Sequence, residues 1–205
     1  MALLDRPFAA MYDRIIAASE QKWLGEARRQ MLEGLTGKIL EIGAGTGANF
    51  QYYSPQAQVT AIEPSQHFLK RARNKIALAQ ASIELKGADA EELPFPDDTF
   101  DAAVATLVFC TIPYPLQALS EVQRVTRAGA PLLLIEHVQA TTPGKRLLLN
   151  LWNPCQKFLA GGCNVNRDTE ATVRAAGWQV EEVRVLMVEM GAPQLFIRAA
   201  NCKGG

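Results

Sequence analysis

Three acids, Glu41, Glu63 and Asp89, each stand where a predicted strand ends, and the glycines Gly43, Gly45 and Gly47 follow directly behind the first of them. Glycine permits positive φ and lets a ligand approach the backbone closely. The N–H groups that open the next element can then meet a polar ligand. Glu63 lies about 20 residues beyond Gly43, where a carboxylate can accept hydrogen bonds from a ribose diol. Each feature alone is ambiguous. The loop also reads as a tight packing turn, Glu63 as a solvated strand end, and Gly43, Gly45 and Ala48 fit the G-x-G-x-x-A of a dinucleotide site. Glu41 and Asp89 discriminate. A carboxylate just before the loop repels a pyrophosphate and favours an amine or a sulfonium, and Asp89 with a backbone amide suits an adenine edge. Together the acids fit S-adenosyl-L-methionine, with its amino acid at one end, ribose in the middle and adenine at the other.

These residues need a scaffold, and the apolar pattern supplies one. Short apolar runs at 38–43, 57–64, 81–89, 100–109 and 130–138 read as strands, stopped by glycine or Pro64. Helical periodicity falls between them, over 65–80 with Ser65 as the expected N-cap and over 115–127. A helix is also expected to start in "GTGANFQYYS". Strands apolar without strict alternation, separated by helices, predict a parallel sheet covered on both faces. Residues 7–34 read as one or two helices, "GKRLLLNLWNPCQKFLAGGC" as a helical insert broken at Pro154, 167–178 as a helix, and the remainder as two closing strands. The expectation is one α/β domain over 1–205. It comprises an N-terminal helical cap (1–37), a Rossmann-like core (38–138), a helical lid (139–166), and a closing helix and strands (167–205). The sheet should be doubly wound, mostly parallel, with an antiparallel final strand.

The successive segments "LEIGAGTGANF", "AIEPS", "GADAEELPFPDDTFDAAVATLVFC" and "EVQRVTRAGAPLLLIEHV" resemble the motifs of class I S-adenosylmethionine-dependent methyltransferases across about 38–138. Within that superfamily the chain is most similar to the methyltransferase-like 7 group, the alkyl-thiol methyltransferases, through "GTGANF", "TLVFC", "EHV" and the downstream "WNP…GGCNVNRDT". The ubiquinone and menaquinone biosynthesis methyltransferases are similar mainly in the cofactor half. The resemblance implies that Glu41, Gly43, Ala44, Gly45, Thr46, Gly47 and Asn49 line the methionine part of the cofactor. It implies that Glu63 holds the ribose with Pro64 against the adenine, that Asp89 and Ala90 read the adenine edge, and that Thr106 and Leu107 close the pocket. Members of that group carry an N-terminal membrane anchor, where this chain begins with a short amphipathic helix, and often a cysteine where Ala44 stands.

On the substrate side, His137 ends the fifth strand at the carboxyl edge, where open α/β sheets bind ligands. Its ordinary pKa suits a general base; a histidine that only bonds a loop is the plainer reading. Tyr12 reads either as a cover over the cofactor or as a core aromatic. Trp152, Cys163 and Asn164 flank the insert, where a substrate cover is expected. Cys163 reads as a buried structural cysteine, with a reactive thiol or a soft acceptor such as arsenite as alternatives. The insert itself reads as a lid, a core helix or an interfacial helix making weak membrane contact; each agrees with a small apolar substrate. A thiol is the leading acceptor, a quinone or lipid the second. A nicotinamide dehydrogenase or a non-catalytic cofactor-binding module is the alternative of another class.

Composition narrows the rest. Lys plus Arg number 21 and Asp plus Glu 21, so charge makes no case for a nucleic-acid partner. The four cysteines form no C-x-x-C pair and the two histidines are far apart, so spacing predicts no metal site. Without a recognisable signal peptide or an apolar run of membrane-spanning length, the expectation is a cytoplasmic protein, monomer or homodimer.

Overall fold

Burial explains the strands. In a computed structural model, which describes residues 2–140, 142–159, 162–189 and 192–203, the apolar runs become β1 (Gly37–Ile42), β2 (Ala57–Ile62), β3 (Ser82–Lys86), β4 (Ala102–Thr106) and β5 (Pro131–His137). Every residue of β4 is buried. That is the burial expected of a central strand sandwiched on both faces. β6 (Gln179–Glu189) and β7 (Ala192–Ala200) complete one seven-stranded sheet in the order β3-β2-β1-β4-β5-β7-β6. β1 to β5 run parallel, while β7 lies antiparallel between β5 and β6. The expected antiparallel final strand is therefore present, and it is inserted rather than added at the edge. Strand order reverses beside β1, so the carboxyl ends of β1 and β4 diverge into a cleft.

The helices are α1 (Ala2–Ser19), α2 (Gly25–Leu32), α3 (Gln66–Lys75), α4 (Pro115–Val125), α5 (Pro143–Leu159) and α6 (Thr169–Ala175). A π-type turn over Glu20–Leu24 joins α1 to α2. On one face Leu119, Val122, Val125 and Val173 pack with Leu40, Ile42, Leu132 and Leu134. On the other, Leu24, Leu32, Phe50 and Ala72 cover Ile39, Val59, Val104 and Ile135. Alternate residues of each central strand thus feed two cores. Ser65 caps α3 as expected, accepting a hydrogen bond from Phe68 N at 3.4 Å.

Two local expectations are corrected. No α-helix starts in the glycine loop; only a 3-10 turn forms, over Phe50–Tyr52, because Gly47 takes φ +77° and interrupts helical backbone. The insert is not broken at Pro154. α5 runs through it, and the exposed position lets water satisfy the carbonyl that proline leaves without a donor. Nor is α5 a core helix: Leu147, Leu148, Leu151 (72 % exposed) and Trp152 (50 %) all face outward. Among the described residues, no helix is long and apolar enough to cross a membrane.

Candidate active site

The loop after β1 is built on left-handed glycines. A Cβ on Gly43 (φ +66°) would lie 2.5 Å from the Val108 side chain, so the turn after β4 packs directly on this glycine. Gly45 (φ +54°) differs: the nearest atom to its missing Cβ is Gly43 O at 3.9 Å, so this face of the loop is open. Glu63, at the end of β2, holds the loop from the side. Its Oε2 accepts from Gly45 N at 3.0 Å and its Oε1 from Ser65 N at 2.9 Å. Thr46 Oγ1 donates to Asp13 Oδ1 at 2.6 Å, and Lys75 Nζ meets the same oxygen at 3.1 Å, which ties α1 across the loop to α3. Tyr12 packs edge-on against Phe8 and Phe68 at 5.7 and 5.6 Å, on the same side of the cleft. Burial pushes its phenol up to about 12.

Beneath the loop lies a buried polar network. Glu41 is 1 % exposed. Its oxygens accept from Asn49 Nδ2 and Tyr53 OH, each at 3.0 Å. Asn49 also accepts from Arg28 Nη1 at 2.6 Å and donates to Thr106 Oγ1 at 3.3 Å. Burial pushes the Glu41 carboxyl up to about 7, against the opposing pull of its two donors and Arg28. Glu41 thus meets protein donors directly, and Asn49 links it to the ends of β1 and β4. Ala44 and Ala90 are buried, and Pro64 and Asp89 are exposed at the cleft rim. Asp89 Oδ1 accepts from Glu91 N at 3.2 Å. Leu107 takes φ +59° where β4 turns out of the sheet.

That turn rests on Glu136. Glu136 Oε1 accepts from Val108 N and Phe109 N, both at 2.7 Å, and Oε2 from Cys110 N at 3.3 Å. The next residue, His137, shares its neighbourhood with two sulfurs. Cys110 and Cys163 have Sγ atoms 3.5 Å apart, and Leu149 of α5 and Val165 pack around them. Cys110 O accepts from Asn164 N and Nδ2, each at 2.9 Å, so Asn164, next to Cys163, docks on the turn after β4. Hydrogen bonding with Cys110 and the neighbouring imidazole pull the Cys163 thiol down, while Cys110 is pushed up. His137 Nδ1 is buried without a partner at hydrogen-bonding geometry, although the ring is near enough to favour a thiolate at Cys163. The fold therefore gathers His137, Cys163 and Asn164, and leaves Trp152 on the outer face of α5. It adds Asp13, Arg28, Cys110 and Glu136, which sequence reasoning missed. Cys110 and Glu136 could have been found by their positions at or just past the ends of strands four and five.

A family model described as a methyltransferase domain matches residues 40–134. The chain is 37% identical over 147 residues to Thiol S-methyltransferase TMT1B of Homo sapiens, covering 67% of this chain and 59% of that protein. It is 40% identical over 103 residues to a phosphatidylethanolamine N-methyltransferase of Cereibacter sphaeroides, covering 49% of this chain and 51% of that one. The chain thus spans between half and three fifths of these relatives' lengths. Among solved structures, an S-adenosylmethionine-dependent methyltransferase of Thermotoga maritima superposes with a TM-score of 0.69 at 20% identity, covering 98% of this chain and all of the other. Domain, topology and the cleft beside β1 agree, and the chain belongs to the class I S-adenosylmethionine-dependent methyltransferase family.

Proposed function

We propose that this chain transfers the methyl group of S-adenosyl-L-methionine to the sulfur of a small apolar thiol. The cleft fits the cofactor: Gly45 leaves a face open to a ligand, and Glu63, held at the end of β2 by Gly45 N and Ser65 N, places a carboxylate where a ribose diol is expected. The exposed face of Pro64 and the Asp89 carboxylate suit an adenine, and Asn49 with the loop N–H groups suits the methionine part. The cofactor brings a methyl group on a cationic sulfur, so the protein's tasks are alignment, exclusion of water and supply of the acceptor in reactive form.

One observation carries the choice of acceptor. Glu41, Glu63 and Glu136, the buried carboxylates at the carboxyl edge, each already accept two or three hydrogen bonds from protein donors. A site whose carboxylates are engaged in this way favours the acceptor least in need of a strong base. A thiol, with a pKa of about 8.5, is partly ionised at neutral pH; a hydroxyl is not. The relative named as a thiol S-methyltransferase supports the same choice. Leu149 of α5, packed beside Cys110 and Cys163, supports a lid role for the start of that helix. The outward leucines of α5 favour a second reading, a quinone or lipid acceptor met at a membrane surface.

The test is a panel of ethanethiol, a quinol and phosphatidylethanolamine vesicles, each incubated with the chain and S-adenosylmethionine and read by mass spectrometry. Methylated thiol is the expected product. Methylated quinol or lipid, with the thiol untouched, would replace the first reading by the second.

A further inference from the structure

Cys110, His137 and Cys163 arrive from three parts of the chain and have no task in the reading above. The two sulfurs and a ring nitrogen of His137 lie within 4.8 Å of one another. A tetrahedral zinc ion with Zn–S bonds of about 2.3 Å sets its sulfurs about 3.8 Å apart. The sulfurs here are separated by 3.5 Å, so they need almost no rearrangement. The imidazole needs to move on the order of 1 Å. Its Nδ1 is buried without a partner, an arrangement that coordination, or a shift towards it, would relieve. A disulfide would account for the two sulfurs but not for the imidazole. The ligand backbones are held as well: Glu136 and Asn164 fix Cys110 from both sides, and Asn153 Oδ1 accepts from Val165 N at 3.1 Å behind Cys163. Such supporting bonds orient metal ligands.

We propose that Cys110, His137 and Cys163 bind one zinc-class divalent ion, and that its fourth position takes the sulfur of the methyl acceptor. Two cysteines and a histidine with an open fourth position form a donor set that suits a catalytic zinc ion. The second half of the proposal rests on the thiol reading. On metal binding both cysteines release their protons to solvent, and two thiolates neutralise the ion. The acceptor thiol likewise loses its proton to water and binds as thiolate. A sulfur lone pair then forms the bond to the methyl carbon as the carbon–sulfonium bond breaks, and that electron pair stays on the former sulfonium sulfur. Two neutral thioethers result, with no oxidant or reductant. In this scheme His137 is a ligand rather than the general base its position suggests.

The test uses the whole chain, stripped with a chelator under a phosphine reductant and titrated with Co2+, then with Zn2+ in competition. The expected result is one Co2+ per chain with sulfur-to-cobalt charge-transfer bands, displaced by Zn2+. Cys110→Ser, Cys163→Ser and His137→Gln should each weaken uptake about a hundredfold or more, while Cys202→Ser, at an exposed cysteine, leaves it unchanged. Ethanethiol, without S-adenosylmethionine, should alter the visible cobalt bands. A folded wild-type chain that takes up neither ion overturns the site, whatever the variants do. Unchanged uptake by Cys163→Ser or His137→Gln overturns the ligand set. Unaltered bands with ethanethiol overturn the fourth-position assignment. Equal ethanethiol methylation by metal-free and loaded chain removes the ion from the reaction while leaving the thiol reading intact; no methylation by either sinks that reading instead.

Discussion

Replacing Glu136 by alanine leaves the backbone N–H groups of Val108, Phe109 and Cys110 without their acceptor. An orphaned buried donor costs roughly 1–3 kcal/mol. The Val108 group is only part-buried, and water recovers some of its bond, so the expected loss is about 4 kcal/mol in all. Glu136→Gln is a different perturbation. Its carboxamide oxygen can stand where Oε1 accepts the two 2.7 Å bonds, and only the 3.3 Å bond from Cys110 is given up. It also removes a buried charge, whose cost is visible in a carboxyl that burial pushes up to about 7. The glutamine should therefore lose about 1 kcal/mol or less. With a urea m-value of about 2 kcal/mol per molar, the unfolding midpoint falls by about 2 M for alanine and by under about 0.5 M for glutamine. Equal losses for the two variants would refute the reasoning, because they would mean that the acceptor oxygen at this position does not hold the turn.

The Glu41 carboxyl is raised by burial from 4.5 to about 7 in the folded chain. A raised acid stabilises the fold below its unfolded pKa, and that contribution is lost as pH rises through about 7. The unfolding free energy should therefore drop between pH 5 and pH 8, on the order of 3 kcal/mol for such a group, and Glu41→Gln should flatten its share; an unfolding free energy that climbs over that window contradicts the assignment. Glu63→Ala removes the acceptor of Gly45 N and Ser65 N, and with it the carboxylate we propose for the ribose. It should weaken S-adenosylmethionine binding about tenfold or more, and unchanged affinity by calorimetry would end the assignment of Glu63 to the cofactor.

What could be read from the chain follows the range over which the physics acts. The glycine loop, Glu63 and the Ser65 cap are local: each depends on a few consecutive residues whose backbone needs are written in their types. The parallel core is legible for a similar reason, since a strand covered on both faces must be apolar throughout, as Ala102–Thr106 is. The place of β7 is not local. Its pairing with β5 sets Pro131 against Ala200, and nothing in either segment names the other. Proline at 154 misled for a different reason: its cost depends on whether water can reach the carbonyl it leaves behind, and exposure is a tertiary property. The sulfur–imidazole cluster shows the same limit most sharply. Sequence spacing offers no metal motif in Cys110, His137 and Cys163. A parallel sheet, however, delivers the ends of all its strands to one edge, so residues far apart in the chain meet there by construction. Cys110 follows β4, His137 ends β5, and Asn164 docks the segment carrying Cys163 onto Cys110 O. For a fold of this kind, the residues at successive strand ends form the sequence to read for chemistry; here, taken in that order, they are Glu41, Glu63, Asp89, Cys110 and His137, the residues on which the proposed cofactor cleft and ion site rest.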